Sequence, residues 1–169
     1  PSSTVSLASA GAGSTCNVLY VNSYNGAGDC LTKTTPGGLL TALALANCKS
    51  VIIKMTKGEY NFMDKVDVNS YVTIEGGFNA DFSIKTSDMS GGANSTTIRR
   101  DKTTGDTDDP TKFSSFKVAA SATGFRFQDL RIELPGATPI GSNPIHAAGS
   151  NKTNYGIRIG TGSTGYNIV

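Results

Sequence analysis

Two stretches of this chain are near copies of one another, and no other feature constrains the fold as much. Phe116-Lys-Val-Ala-Ala-Ser-Ala-Thr-Gly-Phe-Arg-Phe127 lies over Ile157-Arg-Ile-Gly-Thr-Gly-Ser-Thr-Gly-Tyr-Asn-Ile168 without a gap. In each, two alternating apolar residues precede a small-residue turn, a glycine and two more alternating apolar residues. Val66, Val68, Val72 and Ile74 give a shorter version. Alternation sends one row of side chains inward, because successive strand residues point to opposite faces. A unit this small cannot bury its row alone, so it must stack on neighbours of its own kind. Two-residue turns such as Asn-Gly, which join antiparallel neighbours, are scarce between the runs, so the units are expected to lie parallel.

Short β-branched and aromatic runs bounded by Gly, Asn, Asp and Ser predict strands at Val18–Val21, Val51–Met55, Lys65–Val68, Tyr71–Ile74 and Thr96–Arg99. Further runs follow at Phe116–Ala119, Gly124–Phe127, Leu130–Leu134, Tyr155–Ile159 and Tyr166–Val169. The spacing of equivalent runs grows from 21 residues between Val51 and Val72 to 41 between Gly124 and Gly165, as unequal insertions into stacked coils would make it. One helix is predicted, Leu39 to Asn47, opened by Pro36-Gly37-Gly38, with Leu39, Leu40, Leu43 and Ala44 or Ala46 on its apolar face. A stack of coils exposes an apolar cross-section and bare strand edges at its end, and this helix is expected to plug it.

Residues 1–15 are small and polar and read as a flexible lead-in; 16–169 read as one domain. The charged fraction, 17%, is below the roughly 25% of ordinary soluble domains, and Ser, Thr, Asn and Gly carry the polarity instead. Such a composition suits extracellular β proteins. A net charge of +2 with interspersed signs offers no basic stripe for nucleic acid, and no run approaches the roughly 20 apolar residues of a membrane-spanning helix. Cys16, Cys30 and Cys48 all lie in the first third, which suggests one local disulfide and one free thiol, the pair being Cys30 with Cys48 or Cys16 with Cys30.

Val18-Leu19-Tyr20-Val21, the leucine- and alanine-rich helix, Val51-Ile52-Ile53 with Lys57-Gly58-Glu59-Tyr60, and Val72-Thr-Ile-Glu-Gly-Gly-Phe78 follow in an order that resembles the N-terminal region of bacterial pectate-lyase-like β-helix surface proteins. The resemblance runs from about Cys16 to Val169. It implies an all-β fold, a right-handed parallel β-helix with an N-terminal capping α-helix. It also implies secretion to the cell surface, by the type IX machinery in the large adhesins of attachment and gliding that look like this, with a glycan or another cell-surface molecule as partner. Those proteins carry a C-terminal sorting domain that is not seen here. Tyr166–Val169 falls in the middle of a coil, so the natural chain is expected to continue.

The alternative is the N-terminal part of a polysaccharide lyase, which needs carboxylates for calcium and an Arg or Lys beside the uronate. Asp101, Asp106, Asp108 and Asp109 share one loop, and Arg126, Arg131 and Arg158 occupy outward strand positions. The spacing Asp-x4-Asp-x-Asp-Asp lacks the central Gly and closing Glu of a helix-loop-helix calcium site, so a solvated loop ended by Pro110 is the simpler reading. The single histidine, His146, sits in a Pro- and Gly-rich segment without partners for hydrolytic chemistry. Asp64 with Asp67, and Glu59 with Glu75, are carboxylate pairs by sequence proximity alone. Gly76-Gly77 reads as a turn, Tyr60, Phe62, Tyr71 and Phe78 as core, and the sequons at Asn94 and Asn151 as surface loops. No catalytic residue is assigned, and a binding module is expected rather than an enzyme.

Overall fold

The computed structural model describes residues 18–23, 26–46, 50–100, 105–134 and 153–169. Strands are β1 (Val18–Val21), β2 (Val51–Thr56), β3 (Gly58–Phe62), β4 (Val66–Val68), β5 (Val72–Phe78), β6 (Thr96–Arg100), β7 (Lys112–Val118), β8 (Arg126–Gln128), β9 (Arg131–Glu133), β10 (Thr153–Ile159) and β11 (Asn167–Ile168). One α-helix, α1 (Leu39–Leu45), stands between β1 and β2. Among the described residues the fold is all-β apart from that helix and a short 3-10 helix, Gly92–Asn94. Three sheets form, the first in the order β1-β2-β5-β8-β11, the second β3-β6-β9 and the third β4-β7-β10. Every strand pair is parallel. From β2 onward the chain visits the first, second and third sheets in turn and then begins again.

Like side chains stack in files across each sheet. Leu19, Ile53, Ile74, Phe127 and Ile168 are consecutive partners in the first sheet. Tyr60, Ile98 and Ile132 line up in the second, and Val66, Phe116 and Ile157 in the third. Ile53, Ile74, Ile98, Val66 and Phe116 have no exposed surface, and each such side chain stabilises the fold by about 1.5–3 kcal/mol through burial. The sequence copies are neighbours in space: Phe116 lies beside Ile157 and Phe127 beside Ile168, and the Phe125 and Tyr166 rings stack at 5.0 Å. Spacing along the first sheet does not grow steadily as expected. Ile52 sits between Val18, 34 residues before it, and Thr73, 21 residues after; the next steps, to Arg126 and Asn167, span 53 and 41. The longest step contains both the 79–95 and 101–111 connections.

The corner entering the first sheet is built the same way each time. Ser50, Tyr71, Gly124 and Gly165 all have positive φ, between 61° and 66°, and stand two residues before the mutually paired Ile52, Thr73, Arg126 and Asn167. Tyr71, expected in the core, is consequently 40% exposed. Tyr60 and Phe78 are buried as expected, and Phe62 packs partly buried against the core. Gly76-Gly77 is not a turn but lies inside β5, where the register with β2 shifts between Lys54 and Thr56. A β-carbon at Gly76 would overlap the Asp129 carbonyl, and one at Gly77 the Thr86 carbonyl, so both glycines admit crossing backbone. β3 was not foreseen. It follows β2 after Lys57 alone, and Gly58 turns that corner at φ 129° where a β-carbon would strike Ser23 Oγ.

Helix α1 buries Leu39, Ala42 and the following Ala46 and packs Leu43 on the core. Leu40, expected on the same face, is 59% exposed, because positions 39, 42, 43 and 46 already fill one side of so short a helix. The outer edge of β1 is closed by the loop between β1 and α1: Tyr20 N–H donates to the Cys30 carbonyl, Gly37 N–H to the Tyr20 carbonyl, and Asn22 N–H to the Gly37 carbonyl. Cys30 is a buried free thiol, its Sγ 3.7 Å from the Gly38 carbonyl, and burial pushes its pKa up. Cys16 and Cys48 lie outside the described residues, as does the lead-in. Among the described residues no helix is long and apolar enough to cross a membrane.

Candidate functional site

Outward residues of stacked strands form files just as inward ones do, and here the files are charged. In the third sheet Asp67, Lys117 and Arg158 are consecutive register partners. The loop carrying Asp106, Asp108 and Asp109 lies over them. Asp108 contacts Lys65 at 3.6 Å, Arg158 at 2.9 Å and Lys117 more closely still; Asp109 pairs with Lys112 and stands 3.8 Å from Arg158. The Lys117 hydrogen bond, with Arg158 and Lys65 behind it, holds Asp108 at about 2, well below an ordinary carboxylate. Asp109 is depressed further, by Lys112 first and then Thr111. Asp101 lies outside the described residues.

Beneath this loop Arg100 is fully buried. Its Nε donates to the Ser114 carbonyl at 3.1 Å and Nη1 to the Met63 carbonyl, while Nη2 reaches Asp64 at 3.4 Å and Asp106 at 3.3 Å. Asp106, equally buried, accepts the Ser114 N–H on Oδ1 and leaves Oδ2 at 3.7 Å from Arg158 without a hydrogen bond. Asp64, Asp67, Asp106, Asp108 and Asp109 thus face as many cations, Lys65, Arg100, Lys112, Lys117 and Arg158. Asp108, Asp109, Lys112, Lys117 and Arg158 also line a groove of about 280 Å³. Asp108 and Asp109 in this groove are each already paired with a lysine and with Arg158, and among the described residues no group of His, Cys, Asp and Glu is arranged to hold a metal.

On the first sheet Lys85 bridges Glu75 at 2.8 Å and Asp129 at 2.7 Å, and both Lys85 and Lys54 lie over the Phe78 ring. On the second, Arg99 grips Glu59 (2.9 and 3.2 Å) and Glu133 (2.8 and 3.1 Å), while Arg131 donates to Glu133 at 2.8 Å and to the Met89 carbonyl at 2.8 Å. Glu59 and Glu75 stand on different sheets and make no pair; Asp64 and Asp67 turn to different cations. Arg131 and Arg158 are held by carboxylates, whereas Arg126 is exposed.

No family model, curated protein or solved structure matches the chain. Function must therefore be argued from these side chains. Sequence reasoning found the loop aspartates but overlooked their partners Lys65, Arg100 and Lys117, and it overlooked Arg99 with its two glutamates. Strand parity puts Arg99 opposite inward Ile98, so its outward aspect was readable; Glu59 and Glu133 join it only through pairing between strands far apart in the chain. His146 and Asn151 lie outside the described residues, while the other sequon residue, Asn94, is exposed at the end of a short 3-10 turn.

Proposed function

We propose that the three sheets are the faces of a right-handed parallel β-helix, plugged at one end by α1, and that the chain is a secreted or cell-surface module of an adhesin, acting in attachment or gliding rather than catalysis. The supporting observation is the rotation of the chain through three all-parallel sheets, with equivalent residues stacked in register. Such a body presents long, rigid outward faces and variable loops, which suits holding an extended partner. Export by the type IX route and a glycan or cell-surface partner belong to the same proposal. Attachment of purified protein to cells or glycan-coated surfaces tests it. Saturable attachment is expected; release of unsaturated uronates from polygalacturonate, abolished by Arg126→Ala or Arg158→Ala, would replace the adhesin with a polysaccharide lyase.

A further inference from the structure

Edge strands are where a sheet can take on another chain, and at the end where α1 packs on β1 they are not all closed. β1, the edge of the first sheet, has its outer backbone groups bonded to Cys30 and Gly37. β3 is the corresponding edge of the second sheet. Gly58 N–H donates to the Ser95 carbonyl, so the alternation of a parallel ladder turns the backbone of Gly58, Tyr60 and Phe62 toward β6 and that of Glu59 and Asn61 away from it. Among the described residues no backbone group bonds Glu59 or Asn61 on that far side. β4, the edge of the third sheet, is shorter and by the same rule turns only Asp67 outward, because the Val68 carbonyl accepts from Ala119 N–H.

A groove of about 280 Å³ runs beside this edge, lined by Asn22 and Gly26 after β1, by Leu39, Leu40 and Thr41 at the start of α1, and by β3 itself. Leu40 offers it an apolar side chain that is 59% exposed. Unpaired strand backbone next to an exposed leucine is what an added strand requires: ladder partners along its length and a seat for every second side chain. The charges say which strand. Glu59, Arg99 and Glu133 are consecutive partners in one file, alternating in sign. Glu133 is met by both Arg99 and Arg131, whereas Glu59, at the free edge, is met by Arg99 and keeps 40% of its side chain exposed. A cation placed next in the file continues the alternation, and an anion breaks it. A second copy pairing its own β3 here would set two Glu59 carboxylates on one short ladder.

We infer that the free edge of β3 is a strand-addition site, and that its partner is an extended peptide segment in which basic and apolar residues alternate. A Lys or Arg stands beside Glu59, the peptide backbone pairs with Glu59 and Asn61, and the apolar side chains turn the other way, toward Leu40 and Phe62. The inference goes beyond the adhesin reading and does not rest on it, since the edge and its groove are the same whether or not the module attaches to cells.

Fluorescence anisotropy of the full chain with labelled peptides of alternating lysine and valine, and of alternating glutamate and valine, tests it. The lysine peptide should bind, about tenfold or more tightly than the glutamate peptide, and less tightly as salt is added. Glu59→Gln and Leu40→Ala should each weaken binding by about tenfold, the scale of losing one charge-assisted or one well-buried apolar contact. Asn61→Pro removes an N–H that faces away from β6, which an edge strand tolerates, and should abolish binding. Hydrogen exchange on the unaltered protein reads the same site without a variant: the Glu59 and Asn61 amides, fast in the free chain, should slow about tenfold or more with the lysine peptide bound. That measurement stands if Asn61→Pro does not fold. No binding, equal binding of the two peptides, Glu59 and Asn61 amides that stay fast, or undiminished binding to folded Asn61→Pro would each overturn the inference. So would a dimer of the free chain that Asn61→Pro dissolves, since the edge would then belong to a second copy.

Discussion

At the scale of single residues, backbone approach and buried polarity decide most. Gly58 and Gly92 both have positive φ, but only at Gly58 would a β-carbon meet a neighbour, Ser23, whereas Gly92 has open space around it. Gly58→Ala should therefore lose about 2 kcal/mol or more in urea unfolding, and Gly92→Ala only about 1 kcal/mol, the cost of the left-handed backbone alone. Equal losses would mean that backbone strain, not crowding, sets the cost at both. Arg100 and Ser115 make a second contrast. Arg100 satisfies two backbone carbonyls and two carboxylates, while Ser115 Oγ, equally buried, has no partner. Arg100→Met should cost about 3–5 kcal/mol by removing the buried cation nearest Asp106 and the donors to two backbone carbonyls, and Ser115→Ala should be neutral or slightly stabilising. Neither role was legible in the chain, since Arg100 ends an ordinary-looking strand and nothing near it in sequence announces burial.

Among elements, α1 shows how far periodicity carries. Its position and apolar character were readable, but a spacing of three and four allowed Leu39, Leu40 and Leu43 together, and packing on β1 chose Leu39, Ala42 and Ala46. Leu39→Ala is expected to destabilise by about 2–4 kcal/mol and Leu40→Ala by less than about 0.5 kcal/mol, read from thermal or urea midpoints. If Leu40→Ala proved the costlier, the helix would bury the other face in solution. β3 escaped notice for a related reason. Only Tyr60 and Phe62 mark it as a strand, and its pairing with β6 depends on residues almost forty positions away. The copied units were legible because both inward rows survive in each copy, and the gapless alignment became strand register.

For the whole molecule, the charged files tie successive layers together. The loop 105–111 ties β7, β10 and the residue leading into β4 together through Lys117, Arg158 and Lys65. Asp108, held at about 2 chiefly by Lys117, and Asp109 and Glu133, held low chiefly by Lys112 and Arg99, have folded values below their unfolded ones. Depressed carboxylates contribute stability that is complete above the unfolded pKa, near 4, and lost as pH falls through the folded values. The melting temperature should be flat from about pH 7 to 5 and fall between about pH 4 and 2. Asp108→Asn should be less stable at neutral pH and flatten that fall; an unchanged slope would show the loop's charges to be screened by solvent. What the chain alone determined is local: alternation made strands, copied alternation made stacked parallel units, and one three-and-four spacing made a helix. What only tertiary structure decided is long-range: which strand lies beside which, and hence that Glu59, Arg99 and Glu133 share a face while Arg100 is sealed inside. Parity is a property of neighbouring residues, whereas register across insertions of unequal length is set only when the apolar files close on one another.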